Sequence, residues 1–118
     1  MSDLRPRPVD ITLGGKEYGL LFTLNVIDEI QDKTGQPISD IIDALEDKTK
    51  QFKTLKMMLA LMINEYIDEY MPGEKYVTEK YVGRQIGTSG IAEMVDKIVS
   101  TLIASYPEEG DSPNVKSE

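Results

Sequence analysis

The stretch VDITLGGKEYGLLFT, at residues 9–23, decides the fold, because two apolar runs flank a pair of glycines. Gly14 and Gly15 suit a two-residue type I′ turn, since both central residues of that turn need a positive φ. A turn at this place puts every second residue of both strands on one apolar face. The expected pairs on that face are Leu13 with Lys16, Ile11 with Tyr18 and Val9 with Leu20. A hairpin alone is barely stable in water, so another element must cover this face.

The covering elements are expected to be helices, because apolar residues downstream recur at three- and four-residue spacing. Thr23 or Asn25 suits the start of the first helix, and Gly35 suits a left-handed end. The expected helical segments are 23–35, 36–47, 50–71, 76–87 and 88–106. The sequence therefore predicts an α+β, mainly α fold, in which an N-terminal two-stranded β-hairpin packs on a bundle of four to five helices.

The same spacing predicts which side chains of these helices face the core. The apolar face of the first helix is expected to contain Leu24, Ile27 and Ile30. The face of the central helix is expected to begin at Phe52 and to continue through Leu55, Leu59, Met62 and Tyr66. In the last helix, the expected buried stripe is Ile91, Met94, Val95, Ile98, Leu102 and Tyr106, with Val99 and Ile103 at its margins.

The length of 118 residues suits one domain with a single core. Residues 1–8 contain two prolines and no periodicity, and they are expected to form a flexible N-terminal arm. Residues 9–106 are expected to form a single helical domain that begins with the hairpin. Residues 107–118 are acidic, with Val115 as a lone apolar residue, and this tail is expected to be disordered.

The composition excludes several classes of function. Cysteine and histidine are absent, which removes the usual nucleophile–base pairs and the nitrogen and sulfur ligands of metal sites. Neither GxxxxGK[ST] nor GxGxxG occurs, so no phosphate-binding loop is indicated. Only a carboxylate- or lysine-based enzyme stays compatible with this composition. We therefore expect a protein that is not an enzyme, with no catalytic residues, no cofactor and no metal.

Charge and hydropathy bound the partners. The formal net charge is −8, whereas binding to a nucleic-acid backbone needs clustered lysine and arginine. The longest apolar run, MMLALMI at 57–63, is far shorter than the ~18 residues of a membrane span. The start MSDLRPRP has no apolar core of a signal peptide. We expect no nucleic-acid partner, no membrane partner and a cytoplasmic location.

Three features favour contact with another protein. Methionines are frequent in the central helix, and methionine adapts to irregular partners, although it also fills gaps in cores. Tyrosines flank Pro72–Gly73, and tyrosine is common at interfaces, although it is also common at the edge of a core. Leu21 falls on the polar face of the predicted hairpin, where it is either an ordinary exposed leucine or part of a docking edge. The candidate partner-binding residues are Leu21, Tyr66, Tyr70, Met71, Tyr76 and Tyr81.

The order of these elements resembles the N-terminal region of the tail assembly chaperones of long-tailed phages and prophages. In that pattern, a strand, a glycine-bearing turn and a second strand precede a helix with a central acidic residue and then an acid-rich helix. The residues that carry the resemblance are Gly14, Gly15, Phe22, Ile27, Glu29, Ile38 and Leu45. The polar ending DSPNVKSE after a terminal helix is also similar to members of this family.

The resemblance implies a non-enzymatic chaperone that binds the tape measure protein and keeps it soluble while the tail is assembled. It also implies a possible tail tube protein partner, possible homo-oligomers, and a place in the bacterial host cytoplasm rather than in the mature virion. In many members a frameshift lengthens the C-terminus, which here would affect residues 107–118. The alternative is an acidic decoy that mimics the charge of DNA to inhibit a nuclease or repressor. Its candidate residues are Asp28, Glu29, Asp32, Asp40, Asp43, Glu46 and Asp47.

Overall fold

The computed structural model describes residues 7–105. Most of the predicted arm at 1–8, Tyr106 of the predicted last helix and all of the predicted tail at 107–118 therefore lie outside the described residues. The elements in chain order are β1 (Val9–Leu13), β2 (Lys16–Leu20), α1 (Leu24–Thr34), α2 (Ile38–Glu46), α3 (Gln51–Tyr70), α4 (Glu79–Gln85) and α5 (Ile91–Ser105). A single 3₁₀ turn at Thr88–Gly90 leads into α5. The predicted fold class, a two-stranded hairpin followed by helices, is confirmed.

The hairpin has the predicted register. Gly14 and Gly15 have φ angles of 60° and 79°, which the two-residue turn requires. The pairs are Leu13–Lys16, Ile11–Tyr18 and Val9–Leu20, as predicted, with Thr12–Glu17 and Asp10–Gly19 between them. Four residues of the apolar face of the hairpin are buried, namely Ile11, Leu13, Tyr18 and Leu20. The glycine pair therefore predicted the register, and the alternation of apolar and polar residues predicted the covered face.

The central helix α3 organises the core. Strand β2 and all four other helices contact α3, while β1 contacts α5. Within its 20 residues, α3 buries eight: Leu55, Met57, Met58, Leu59, Ala60, Met62, Ile63 and Ile67. A helix with apolar residues on most sides is usually covered on most sides, and α3 follows that rule. The hairpin thus packs against the central helix and the last helix, which cover its apolar face.

Local capping sets the helix ends. The Thr23 hydroxyl accepts a hydrogen bond from the Val26 N–H at 3.4 Å, so Thr23 rather than Asn25 starts α1. Gly35 ends α1 with a φ of 69°. Thr78 starts α4 in the same way as Thr23 starts α1, through the Tyr81 N–H at 3.0 Å. A threonine before an apolar segment was therefore a sufficient signal for both starts.

Three side chains assigned to apolar faces are exposed instead. Leu24 is 81% exposed, Phe52 57% and Ile103 66%. Leu24 and Phe52 lie in the first turns of α1 and α3, where a side chain of the right periodicity can project past its neighbours. In α1, Val26 and Ile30 are buried in the core, and the half-buried Ile27 packs against it. The prediction that Leu24 and Phe52 are buried is wrong.

The segment between α3 and α4 is fixed by side chains. The Asn64 amide donates to the Val77 carbonyl at 3.0 Å and accepts from the Val77 N–H at 2.8 Å, as a paired strand would. Lys16 on β2 forms a salt bridge with Glu74 in the same segment. No helix within residues 7–105 is long and apolar enough to cross a membrane. The Cα radius of gyration is 14.6 Å, close to the ~13–14 Å of a compact domain of this length.

Candidate functional site

Leu21 is not on an exposed face. It is only 4% exposed, and its N–H donates to the Met62 carbonyl of α3 at 3.2 Å. Strand β2 ends at Leu20, so the alternation between two faces no longer applies one residue later. The prediction that Leu21 marks an accessible edge of the hairpin is wrong, because Leu21 belongs to the contact between the hairpin and α3.

Tyr66 and Tyr70 form one aromatic pair. Their rings stack with centroids 4.9 Å apart and an angle of 30° between the planes. Tyr66 is half-buried against Gly19 of β2, where an added Cβ would lie 2.5 Å from the Tyr66 ring. Tyr70 is 49% exposed. Tyr66 therefore contributes to packing on the hairpin, and Tyr70 offers the accessible ring of the pair.

Tyr81 lies over the turn of the hairpin. An added Cβ at Gly14 would collide with the Tyr81 hydroxyl, and it would also lie 3.2 Å from the Gln85 side-chain oxygen. Burial is the main cause that raises the pKa of Tyr18, and the nearby Tyr81 adds to the effect. The hydrogen bond to Glu74 is the main cause that raises the pKa of Lys16. These contacts hold the hairpin turn against α4 and the segment before it.

Tyr76 lies in acidic surroundings. It is 59% exposed, and its hydroxyl donates a hydrogen bond to the Asp68 carboxylate. That bond is the first cause that raises the pKa of Tyr76, and Glu29 and Glu65 raise it further. Its ring lines a cavity of about 170 Å³ together with Asn25, Val26, Glu29, Leu61, Asn64, Glu65 and Asp68. The Tyr76 side chain is thus accessible, while its hydroxyl is already hydrogen-bonded to Asp68.

Met71 follows the last residue of α3 and is half-buried against the core. Its N–H donates to the Ile67 carbonyl at 2.9 Å. Tyr66 stacks on Tyr70, whereas Tyr76 lines a cavity beside α1 and Tyr81 lies over the hairpin turn. Of the six predicted residues, Leu21 is buried, Tyr66, Met71 and Tyr81 are half-buried, and Tyr70 and Tyr76 are exposed.

An apolar groove lies at the other end of α3, and sequence analysis did not identify it. Two adjoining cavities, of about 230 Å³ and 560 Å³, share Phe52, Thr88 and Ile91. The first lies between α3, α4 and α5, and the second lies between the end of α2, the start of α3 and the start of α5. We call them together the Phe52 groove. Its apolar lining consists of Leu45, Phe52, Leu55, Val82, Ile86, Ile91, Ala92 and Val95.

A ridge of apolar side chains continues from this groove along α5. Ile91, Val95, Val99 and Ile103 follow one another at four-residue spacing. The first three are half-buried, and Ile103 is 66% exposed. Rows at this spacing form the ridges that pack into the grooves of other helices. In the sequence, the ridge was indicated only by the position of Ile103 at the margin of the predicted buried stripe.

No protein-family model matches the chain, and neither a curated protein nor a solved structure matches it.

The Phe52 groove combines an apolar lining with charged and polar side chains. Within residues 7–105, no group of three or more acidic side chains is arranged to hold a metal ion. The polar residues around the Phe52 groove are Glu46, Lys48, Gln51, Lys56, Thr88 and Asp96. An apolar floor with mixed charges at its rim is suited to binding a polypeptide with an apolar face.

Proposed function

We propose that this protein is a non-enzymatic tail assembly chaperone of a long-tailed phage or prophage. It binds the tape measure protein and keeps it soluble in the host cytoplasm until tail tube protein assembles around it, and it does not remain in the mature virion. The observation that supports this proposal is the Phe52 groove with its ridge on α5. A tape measure protein is long and largely helical, so it offers apolar stripes for such a groove.

The groove suits a helix in its chemistry and its layout. Amphipathic helices bind by placing apolar residues at three- and four-residue spacing into a hydrophobic groove. The ridge from Ile91 to Ile103 supplies a matching row along α5, and Phe52 stands at its start. The net charge of −8 keeps a protein with an apolar groove from associating nonspecifically.

Phe52 is expected to supply a large share of the affinity. Its ring is 57% exposed, so a partner covers roughly 100 Å² of it, which corresponds to about 2–3 kcal/mol. That free energy is equivalent to roughly a 30- to 150-fold change in Kd. Loss of this side chain should therefore be visible in a binding experiment without loss of the fold.

The test is co-purification with the product of the very long reading frame expected directly downstream. We expect Phe52→Ser to reduce the amount of that protein retained by the full chain, because the ring is the exposed part of the groove. Tyr70→Ser is the matched control, since Tyr70 is a half-exposed aromatic near the opposite end of the same helix. If Tyr70→Ser abolishes retention while Phe52→Ser does not, the partner binds the tyrosine residues predicted from sequence, and the groove is not the site.

Salt separates this function from that of a DNA-mimicking decoy. Apolar contacts persist in about 1 M NaCl, whereas contacts between an acidic surface and a basic nuclease or repressor are screened. We expect the tape measure complex to survive the high-salt wash. A complex that dissociates in salt, or a partner that is a basic DNA-binding protein, contradicts the chaperone function.

A further inference from the structure

A basic groove lies between the end of α1, α2 and the first half of α3. Its volume is about 660 Å³. Three lysines line it, namely Lys33, Lys50 and Lys53, together with the hydroxyl-bearing Thr34, Thr49 and Thr54. Ile41, Ala44 and Met57 give it an apolar floor, and its acidic lining residue is Glu79. A concentration of lysines at one groove is unexpected in a chain with a net charge of −8.

None of these lysines forms a salt bridge within residues 7–105, although Lys50 lies near Asp47 and adds to the lowering of its pKa that hydrogen bonds from Thr49 mainly cause. In this part of the chain, a salt bridge joins Lys16 with Glu74 instead. Lys50 and Lys53 also flank the start of α3, where the first turn has no acidic residue and no side-chain cap. The unpaired N–H groups of a long helix add positive potential at that point. The groove is therefore suited to a polypeptide that carries several carboxylates.

We propose that the basic groove binds the acidic C-terminal segment 107–118 of the same chain. This segment carries four acids, Glu108, Glu109, Asp111 and Glu118, against Lys116. Val115 is the one large apolar residue of this segment, and Met57 and Ile41 in the floor of the groove are suited to contact it. Exposed ion pairs are individually weak, but a tethered segment has an effective concentration in the millimolar range.

The segment is long enough to reach the groove. Helix α5 starts beside Phe52, which directly precedes Lys53, because Ile91 and Phe52 line the same cavity. The 15 residues of α5 lead the chain at most ~22 Å away from that point. Residues 106–118 can span ~43 Å when extended. This inference does not rest on the proposed function, since it concerns contacts within one chain.

The test uses the full chain with a spin label on Ser112→Cys. The sequence contains no cysteine, so the label has a single position. We expect the label to broaden the amide NMR signals of residues 33–36 and 49–54, and to leave those of residues 65–70 sharp. About 0.5 M NaCl should restore the broadened signals, because it screens the ion pairs.

Charge variants and mixing complete the experiment. The broadening should disappear in a triple variant of the groove, Lys33→Gln, Lys50→Gln and Lys53→Gln. The control is a triple variant that removes the same charge from exposed positions outside the groove, Lys75→Gln, Lys80→Gln and Arg84→Gln, and it should keep the broadening. Broadening that is absent, or that survives the first triple variant, overturns the proposal. In a mixing experiment, spin-labelled chains without ¹⁵N are added to ¹⁵N chains that carry no spin label. Broadening in that mixture assigns the contact to a second copy of the chain, and this result also overturns the proposal.

Discussion

Replacing Gly19 with alanine measures how closely the hairpin packs on α3. An added Cβ at this position would lie 2.5 Å and 2.6 Å from two atoms of the Tyr66 ring and 3.0 Å from the Cβ of Pro8. Overpacking of this kind typically costs about 1–3 kcal/mol, because side chains must shift. Alanine also restricts the unfolded chain, which offsets about 0.4–1 kcal/mol of that cost. We therefore expect Gly19→Ala to lower the free energy of unfolding by about 1–2 kcal/mol.

The assay is urea and thermal unfolding followed by circular dichroism, in which this loss corresponds to a fall in Tm of about 4–10 °C. Gly87→Ala is the matched control, because Gly87 has a φ of −78° and no atom within 4 Å of an added Cβ. That variant should be neutral, or more stable by up to about 1 kcal/mol. A Gly19→Ala chain as stable as the parent would refute the close packing of Tyr66 on β2. Tyr66→Ala in the Gly19→Ala background should cost less than the sum of the two single changes.

Alkaline pH should destabilise the fold, because the pKa values of Lys16, Tyr18 and Tyr76 are all raised in the folded chain. Their contribution to stability is present below the ordinary tyrosine pKa of 10.0 and is lost as the pH rises through the raised pKa values. The free energy of unfolding from urea titrations should therefore fall above about pH 10, and it should fall less steeply in Tyr18→Phe. A free energy of unfolding that does not change with pH in this range would contradict the raised pKa values. Leu24→Ser should change the free energy of unfolding by under about 0.5 kcal/mol, whereas Ile30→Ala should lower it by about 2–5 kcal/mol. Equal losses in these two variants would show that Leu24 belongs to the core after all.

Sequence patterns were sufficient where the physical cause is local. The glycine pair fixed the turn, and the turn fixed the strand register, because each step depends on neighbouring residues. The helix starts at Thr23 and Thr78 followed from side chains that accept a hydrogen bond within three residues. These parts of the fold required no knowledge of distant contacts.

The exposed side chains and the grooves were not predictable in this way. Periodicity shows that a helix has an apolar face, but it does not show how much of that face another element covers. Phe52 fits the periodicity of α3, yet its side chain is 57% exposed at a groove between the end of α2 and the start of α5. The basic groove unites Lys33 with Lys50 and Lys53, which are separated in sequence by all of α2. Only the packing of α1 and α2 on α3 brings these cations together.

The contact between β1 and α5 has a consequence for the order in which the chain folds. The Lys97 ammonium donates to the Asp10 carbonyl at 2.9 Å, across 87 positions of sequence. A hairpin is marginal until its apolar face is covered, and contacts between distant segments slow folding. During translation, β2 can pack on α3 as soon as α3 has formed, whereas β1 lacks its contacts with α5 until the last helix has left the ribosome. A nascent chain that ends before Lys97 should therefore be cleaved by proteases at β1 more readily than the full chain.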